Sequence, residues 1–207
     1  MLIYLSMATK KASKLNQMKK VRDEIFNLVE SPLYAERVAN GVFPVIGDGN
    51  HDAKIIFVGE APGRNEAKTG RPFCGVSGKV LDELLKHVGI NRDDIYITNI
   101  VKDRPTNNRD PKPEEIEIYA PFLDRQIDII KPKAIVTLGR FSMDYIMRKM
   151  GLEAELQTIS TLHGKKFYSK ERKLFVVPLY HPAVAVYNRN MLPSLKKDFE
   201  VLKEILK

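Results

Sequence analysis

The residues that can do chemistry lie where short apolar runs of the sequence end. The run at 55–58 is followed by Gly59 and Glu60, a second run carries Asn99, and His181 follows the last run. Carboxylate, carboxamide and imidazole groups bind polar ligands and hold or transfer protons. One polar residue after a strand is more often structural than functional. Several such residues at equivalent places predict a shared pocket.

The segment GEAPGRNE indicates the shape of the ligand. Small residues at Gly59, Ala61 and Gly63 leave the backbone amides open, so a flat polar ligand can approach the main chain. The segment lacks the Gly-Lys-Ser/Thr ending of a phosphate loop and does not fit G-x-G-x-x-G. The carboxamide of Asn99 matches the edge of a pyrimidine, and Phe73 can stack on a ring. The pattern therefore favours a base over a triphosphate.

The elements that position these residues follow from the spacing of apolar residues. Four apolar runs of strand length alternate with segments of helical period. The strands are predicted at 55–58, 94–101, 133–139 and 173–180. This order predicts an α/β fold, namely a three-layer α/β/α sandwich with a central four-stranded parallel sheet. Ligands bind such sheets outside the carboxyl ends of the strands.

The length of the chain favours one compact domain. The chain has 207 residues, 43% of them hydrophobic. Residues 1–20 hold five lysines and no acid, so they are predicted to form a basic, flexible arm before a domain at 21–207. No apolar run reaches the roughly 18 residues that span a bilayer, and the start does not fit a signal peptide. We expect a soluble, cytoplasmic protein with no membrane contact.

The charge of the chain favours a polyanionic partner. The formal net charge is +8 at pH 7. Beside the last strand lies a basic cluster at 165–173, in which Lys165 and Lys166 are candidate contacts to a phosphate backbone. The solvated edge of a hairpin explains the same cluster equally well.

The cysteine content limits metal and redox chemistry. Cys74 is the one cysteine of the sequence, which excludes an internal disulfide and a multi-cysteine metal cluster within one chain. No pattern for nucleophilic chemistry surrounds it, so a packed or idle thiol is the favoured interpretation.

Three segments, in order, carry a family resemblance. They are VGEAPGRNEAKTGRPFCGVSG, YITNIVKDRP and YHPA. Together they resemble the uracil-DNA glycosylase superfamily, and family four most closely, over about residues 28 to 206. The resemblance implies a repair enzyme that hydrolyses the N-glycosidic bond of uracil in DNA, and we expect it to act as a monomer.

The resemblance also implies roles for individual residues in binding the base. The backbone from Gly59 to Ala61 and the side chain of His181 are expected to surround the uracil. Phe73 is expected to stack on the base, and Asn99 to read its polar edge.

Cleavage of the bond builds positive charge on the sugar and negative charge on the base, so opposite charges should lie at each end. A carboxylate from Glu60 or Glu66 is expected to face the sugar and orient water, and His181 to hold the leaving oxygen. The division of labour between the two acids stays open. Val184 or Val186 is a candidate to fill the gap left by the flipped nucleotide, and a plain core role explains both residues equally well.

The resemblance fails at the iron site of family four. That family carries four cysteines that hold a [4Fe-4S] cluster. The corresponding positions here are Leu28, Ser31, Asp103 and Tyr119, none of which replaces a thiolate on iron. The cluster is predicted to be absent, with packing around Leu28 and Tyr119 in its place.

Other activities remain open from the sequence. Ala67 stands where the family often has Asp, which admits a glycosylase for another deaminated base such as hypoxanthine. A catalytically inactive, DNA-binding member is a further alternative. His163 lies in the loop where some members trap DNA covalently, although the longer Arg-rich insertion of those members is missing here.

Overall fold

The computed structural model describes residues 2–206, and side chains from 13 to 205. Within these limits the chain alternates strands and helices as predicted. The α-helices are α1 (Leu2–Phe26), α2 (Tyr34–Ala39), α3 (Arg64–Thr69), α4 (Val76–His87), α5 (Pro113–Ile130), α6 (Arg140–Lys149), α7 (Ile159–Leu162), α8 (Ala183–Tyr187), α9 (Leu192–Phe199) and α10 (Leu202–Leu206). Short 3-10 helices lie at Arg92–Asp94, Thr106–Asn108, Glu153–Glu155 and Arg189–Met191.

The described strands form one six-stranded sheet. They are β1 (Asp48–Gly49), β2 (Ile55–Gly59), β3 (Tyr96–Asn99), β4 (Ala134–Leu138), β5 (Phe167–Ser169) and β6 (Leu174–Leu179), in the order β1-β3-β2-β4-β6-β5. The four inner strands are parallel, which confirms the predicted strands and their direction. The predicted number of strands was wrong, because β1 and β5 add antiparallel pairs at the two edges.

Two layers of helices cover the sheet and confirm the three-layer architecture. Alternate residues of β2 point to opposite faces, as expected for a strand with both faces buried. Ile56 and Val58 pack in a core with α1, α5 and α6, whereas Ile55 and Phe57 pack in a core with α4 and α9. The sheet is therefore held rigidly from both sides.

The register of the inner strands aligns their carboxyl ends. Gly59 pairs with Asn99 across β2 and β3, and Leu138 pairs with Leu179 across β4 and β6. Residues that end or follow these strands, including His181, therefore meet at one edge of the sheet. This edge holds the functional candidates.

The predicted basic arm overlaps α1, which continues across residue 20 without a break. Met18 is buried in the core, and Lys14 Nζ lies 2.8 Å from an Asp52 carboxylate oxygen. The flexibility of the arm stays a prediction. Among residues 2–206, no helix combines the length and apolar character needed to cross a membrane.

Candidate active site

A cavity of about 400 Å³ opens at the carboxyl edge of the sheet. Its walls include six of the predicted site residues, namely Glu60, Ala61, Glu66, Phe73, Asn99 and His181. Gly59 lies behind these walls at the end of β2. A second cavity, of about 430 Å³, lies between α1 and the segment 43–47 and contains none of the predicted site residues.

Gly59 allows two of the walls to converge. A Cβ atom at this position would lie 2.3 Å from Asn99 Oδ1 and 2.9 Å from the ring of Phe73. Both distances are far below van der Waals contact, so no side chain fits without displacing one of these groups. The absence of a side chain at Gly59 is what brings the carboxamide and the aromatic ring together.

Phe73 is held in a strained backbone conformation. Its φ is +47°, which is rare for a residue with a bulky side chain. Arg92 donates hydrogen bonds to the carbonyl oxygens of Pro72 and Phe73, at 2.8 and 3.2 Å. The ring of Phe73 stacks near His181, with 5.5 Å between ring centroids and an interplanar angle of 30°. In this conformation the ring of Phe73 forms part of the cavity wall.

Glu66 holds the loop that carries Phe73. Its Oε1 accepts hydrogen bonds from the backbone N–H groups of Cys74 and Gly75, at 3.0 and 2.8 Å. These amides lie at the start of α4, where N–H groups lack partners within the helix. The carboxylate therefore caps α4 from outside the helix.

Glu60 lies between the cavity and the start of α6. The backbone N–H of Phe141 donates to its Oε1 over 3.4 Å, and a Cβ on Gly139 would meet the same oxygen at 2.3 Å. Burial raises the pKa of the Glu60 carboxyl, Asp110 adds to the rise, and the Phe141 N–H and Arg140 oppose it. The net result is a Glu60 pKa above the ordinary value of a glutamate.

Asn99 presents its carboxamide to the cavity. The residue is 2% exposed. Among residues 13–205, no group forms a hydrogen bond with its side-chain amide. Nearly buried polar groups usually have partners, so this side chain is arranged for a partner that enters the cavity.

His181 is neutral at physiological pH. Burial lowers the pKa of its imidazole to about 4, and the nearby Glu66 opposes that shift. The backbone N–H of Ala183 donates to Nδ1 over 3.1 Å, so the proton of the neutral ring lies on Nε2. The cavity is therefore lined by a neutral hydrogen-bond donor.

The predicted phosphate contacts lie at the same edge of the sheet but outside the cavity. Lys165 and Lys166 come directly before β5, and Gly164 N–H donates to Pro178 O at the end of β6. Lys165 is exposed. Lys166 is also exposed and forms an ion pair with Glu204 at 2.7 Å.

Two elements of the cavity mouth were missed by sequence reasoning. Tyr187, at the end of α8, lines the cavity and is 90% exposed, whereas the predicted wedge candidate Val186 is 40% exposed. The loop before α5 contributes Asn108 and Arg109. Asn107 and Asn108 both have positive φ, and the Asn-Asn pair was the available signal for such a turn.

Ala67 and His163, on which two of the alternative activities depend, do not line the cavity. Ala67 is 1% exposed on α3 and does not line the cavity. His163 Nδ1 lies 2.7 Å from a carboxylate oxygen of Asp198, and the ring of His163 contacts Tyr180 with 4.4 Å between centroids. His163 is not part of the cavity wall.

The four positions that correspond to the cluster cysteines include a buried polar network. Ser31 Oγ and Tyr119 Oη lie 2.7 Å apart, and Tyr119 donates to Asp103 over 2.6 Å. Arg37 pairs with Asp103 at 3.5 Å, and Leu28 packs against the adjoining core. Burial raises the pKa of the Tyr119 hydroxyl, which keeps it a protonated donor.

This donor set does not fit an iron-sulfur cluster, which is held by thiolates. The oxygen atoms of Ser31, Tyr119 and Asp103 are hydrogen-bonded to one another, and Leu28 offers no ligand atom. Over the described part of the chain, no group of three or more His, Cys, Asp and Glu residues is arranged to hold a metal ion.

Comparison with known proteins gives a consistent result. The sequence model of the Uracil DNA glycosylase superfamily matches residues 46–207. The chain is 45% identical over 194 residues to the Type-4 uracil-DNA glycosylase of Sulfurisphaera tokodaii, which covers 92% of this chain and 86% of that protein. It is 38% identical over 195 residues to the Type-4 enzyme of Thermotoga maritima, which covers 92% and 95% of the two chains. Because the match spans nearly the whole chain, this protein belongs to the uracil-DNA glycosylase superfamily.

Proposed function

We infer that the protein is a DNA-repair enzyme that hydrolyses the N-glycosidic bond of uracil in DNA. The observation that carries this inference is the convergence of Phe73, Asn99 and His181 on one cavity of about 400 Å³, large enough to admit a base, in a chain 45% identical to a Type-4 uracil-DNA glycosylase. A base stacked in a duplex cannot reach such a cavity. The nucleotide must first leave the helix, at a cost of a few kcal/mol that is lowest for mispaired or single-stranded uracil.

In the cavity, Phe73 stacks on the uracil ring and Asn99 reads its edge. Uracil presents N3–H as a donor beside O4 as an acceptor, and the carboxamide of Asn99 offers the complementary pair. Support comes from the carboxamide, which has no hydrogen-bond partner among residues 13–205, and from Gly59, where a Cβ atom would lie 2.3 Å from Asn99 Oδ1. A site that pairs both groups rejects a base that reverses them.

Separate residues stabilise the two charges that develop in the transition state, one on the base and one on the sugar. His181 donates from Nε2 to the oxygen of the departing base. Because the neutral ring already carries its proton on Nε2, this hydrogen bond does not require a buried imidazolium cation. Glu60 faces the sugar, and its ionised form stabilises positive charge there and orients the attacking water. Glu66 acts as a positioning residue, because it holds the loop of Phe73.

DNA binds across the face that contains the cavity mouth. Lys165 and Lys166 contact phosphates, and Tyr187 on α8 enters the space left by the flipped nucleotide. The protein acts as a monomer, which size-exclusion chromatography with light scattering tests directly.

An assay on defined oligonucleotides tests the proposed activity. Purified protein is incubated with strands that carry uracil, hypoxanthine or a thymine mismatch, and abasic sites are cleaved with alkali before electrophoresis. Cleavage at uracil is expected. Cleavage at hypoxanthine alone would support the other deaminated base, and binding without cleavage would support an inactive member.

We also propose that the protein carries no iron-sulfur cluster. The support is the single cysteine, together with the bonded Ser31, Tyr119 and Asp103 at the corresponding positions. Protein purified without oxygen should be colourless and contain no stoichiometric iron or sulfide. One cluster per chain by elemental analysis would overturn this proposal.

A further inference from the structure

Lys102 is a fully buried lysine three residues after Asn99. Its exposure is 0%, which is rare for a charged side chain. Its Nζ donates to Asn99 O over 2.7 Å, to Gln126 Oε1 over 2.7 Å and to Thr98 Oγ1 over 2.8 Å. All three partners are uncharged. Within the residues whose side chains are described, Lys102 has no ion-pair partner.

The orientation of the partners indicates that the side chain is an ammonium. Gln126 uses its amide nitrogen for Ile46 O and Tyr96 Oη, so Oε1 is the atom that faces Lys102. Thr98 Oγ1 has two acceptors for its hydroxyl hydrogen, Ile46 O at 2.8 Å and Gln126 Oε1 at 3.3 Å, so towards Lys102 it acts as the acceptor. Three acceptors match the three N–H groups of an ammonium, and a neutral amine would leave one unmatched. Burial lowers the pKa of Lys102 well below its ordinary value. Hydrogen bonds to three acceptors favour the charged form and so act against that shift.

The segment that Lys102 anchors lies directly against the cavity. Ile100 N–H donates to Gly59 O over 3.1 Å, and Val101 N–H donates to Glu60 O over 3.0 Å. The side chain of Lys102 donates a hydrogen bond to the carbonyl oxygen of Asn99, three residues earlier in the same segment. It also ties the segment to α5 through Gln126. The backbone of Asn99 is therefore fixed from below the cavity floor.

We propose that Lys102 is a positioning residue that sets the placement of the Asn99 carboxamide for uracil. The inference rests on the proposed role of Asn99 in reading the base. A shift of Asn99 by about 1 Å would remove productive hydrogen bonding, and a displacement of that size can reduce a rate about 10²-fold. Lys102 itself does not touch the substrate.

A double-mutant cycle separates positioning from folding. Lys102→Met is combined with Asn99→Ala, and single-turnover uracil release is measured for all four proteins and corrected for the folded fraction. Lys102→Met alone should slow release by about 10-fold to 10²-fold. In the Asn99→Ala background the same change should slow release by less than about 3-fold, because the group it positions is gone. Affinity for DNA with a tetrahydrofuran abasic analogue should stay within about 3-fold, since that DNA presents no base.

Tyr119→Phe is the matched control, because it breaks buried hydrogen bonds that do not reach Asn99. Its effect on release should be the same in both backgrounds. If Lys102→Met does not fold, Thr98→Val removes one acceptor of the ammonium with a near-isosteric change, and the same cycle applies. Equal effects of Lys102→Met in both backgrounds would overturn the positioning role alone. Unchanged release by Asn99→Ala would overturn the base-reading role of Asn99, and the inference with it.

Discussion

At the scale of single residues, the cavity contains a neutral imidazole, a carboxyl of raised pKa and a carboxamide that has no hydrogen-bond partner among residues 13–205. Each can be changed without altering the volume of its side chain greatly. Their separate contributions to base recognition and to bond cleavage can therefore be measured.

Asn99→Asp should exchange one base preference for another. The change removes the amide donor that meets O4 of uracil and supplies an acceptor for the amino group of cytosine. We expect loss of most uracil release and gain of weak cytosine release, measured by alkaline cleavage of matched oligonucleotides. Asn40→Asp, at the exposed end of α2, is the control and should behave as wild type. Full uracil activity without cytosine release would show that another group reads the base.

Glu60→Gln and Glu66→Gln should differ in what they disturb. Loss of the Glu60 charge should slow uracil release by about 10²-fold or more with little change in the unfolding temperature. Glu66→Gln keeps one acceptor oxygen for Cys74 and Gly75 but loses its charge at the helix start. It should therefore both slow uracil release and lower the unfolding temperature. Single-turnover rates and thermal unfolding of both variants test this division. Wild-type rates in both would show that other acids act on the sugar.

The imidazole of His181 should make stability depend on pH. Burial lowers its pKa to about 4 in the folded protein, from an ordinary value of 6.5. Below pH 6.5 the unfolded chain binds the proton and the folded chain does not, so this contribution to stability is present above pH 6.5 and declines as the pH falls towards 4. Denaturant unfolding of His181→Asn should show a weaker loss of stability over this range than wild type. A loss of stability in His181→Asn equal to that of wild type would show that other groups set this pH dependence.

At the scale of elements, the turn before α4 holds the ring of Phe73 in the cavity wall. The helix begins beside a strained Phe73, and Arg92, Glu66 and Gly78 all act on the same turn. A Cβ on Gly78 would lie 1.9 Å from Phe73 O, so the backbone passes closer than any side chain permits.

Gly78→Ala should therefore displace Phe73. The expected outcome is a loss of uracil release of about 10-fold or more and a lower unfolding temperature, measured on the same preparation. Gly89→Asn is the control, because Asn tolerates positive φ and no atom lies within 4 Å of a Cβ there. A fully active Gly78→Ala protein would mean that the turn can move without effect on the base.

At the scale of the whole molecule, the proposed active site requires the carboxyl edge of the sheet to face DNA. Lys165 and Lys166 lie at this edge, whereas Lys133 is exposed at the opposite edge, just before β4. This distribution offers a comparison in which the same residue type is removed from two faces.

Lys165→Ala should weaken DNA binding and lower the slope of log affinity against log salt by about 1, as expected for one lost phosphate contact. Lys166→Ala should have a smaller effect, because this side chain must leave Glu204 to reach DNA. Lys133→Ala should change neither the affinity nor the slope. Fluorescence anisotropy over a salt series measures all three, and equal slopes throughout would place the DNA on another face.

Much of the fold could be predicted from local patterns. The four inner strands are buried on both faces, so they read as continuous apolar runs, and a strand between helices pairs in parallel. The edge strands β1 and β5 have two and three residues, too few for a periodic signal. Their pairing depends on the neighbour that each finds in the folded sheet.

The sequence by itself determined which residue types arrive at the carboxyl edge of the sheet, because strand ends and their loops are local features. Only the tertiary structure decided which side chains share a hydrogen bond. Ser31 and Tyr119 are 88 positions apart, and Lys102 and Gln126 are 24 positions apart. A lysine in a sequence is ordinarily taken as exposed. Its burial beneath Asn99 follows from the packing of α5 against the sheet, which brings an amide oxygen to the ammonium and offsets the loss of water.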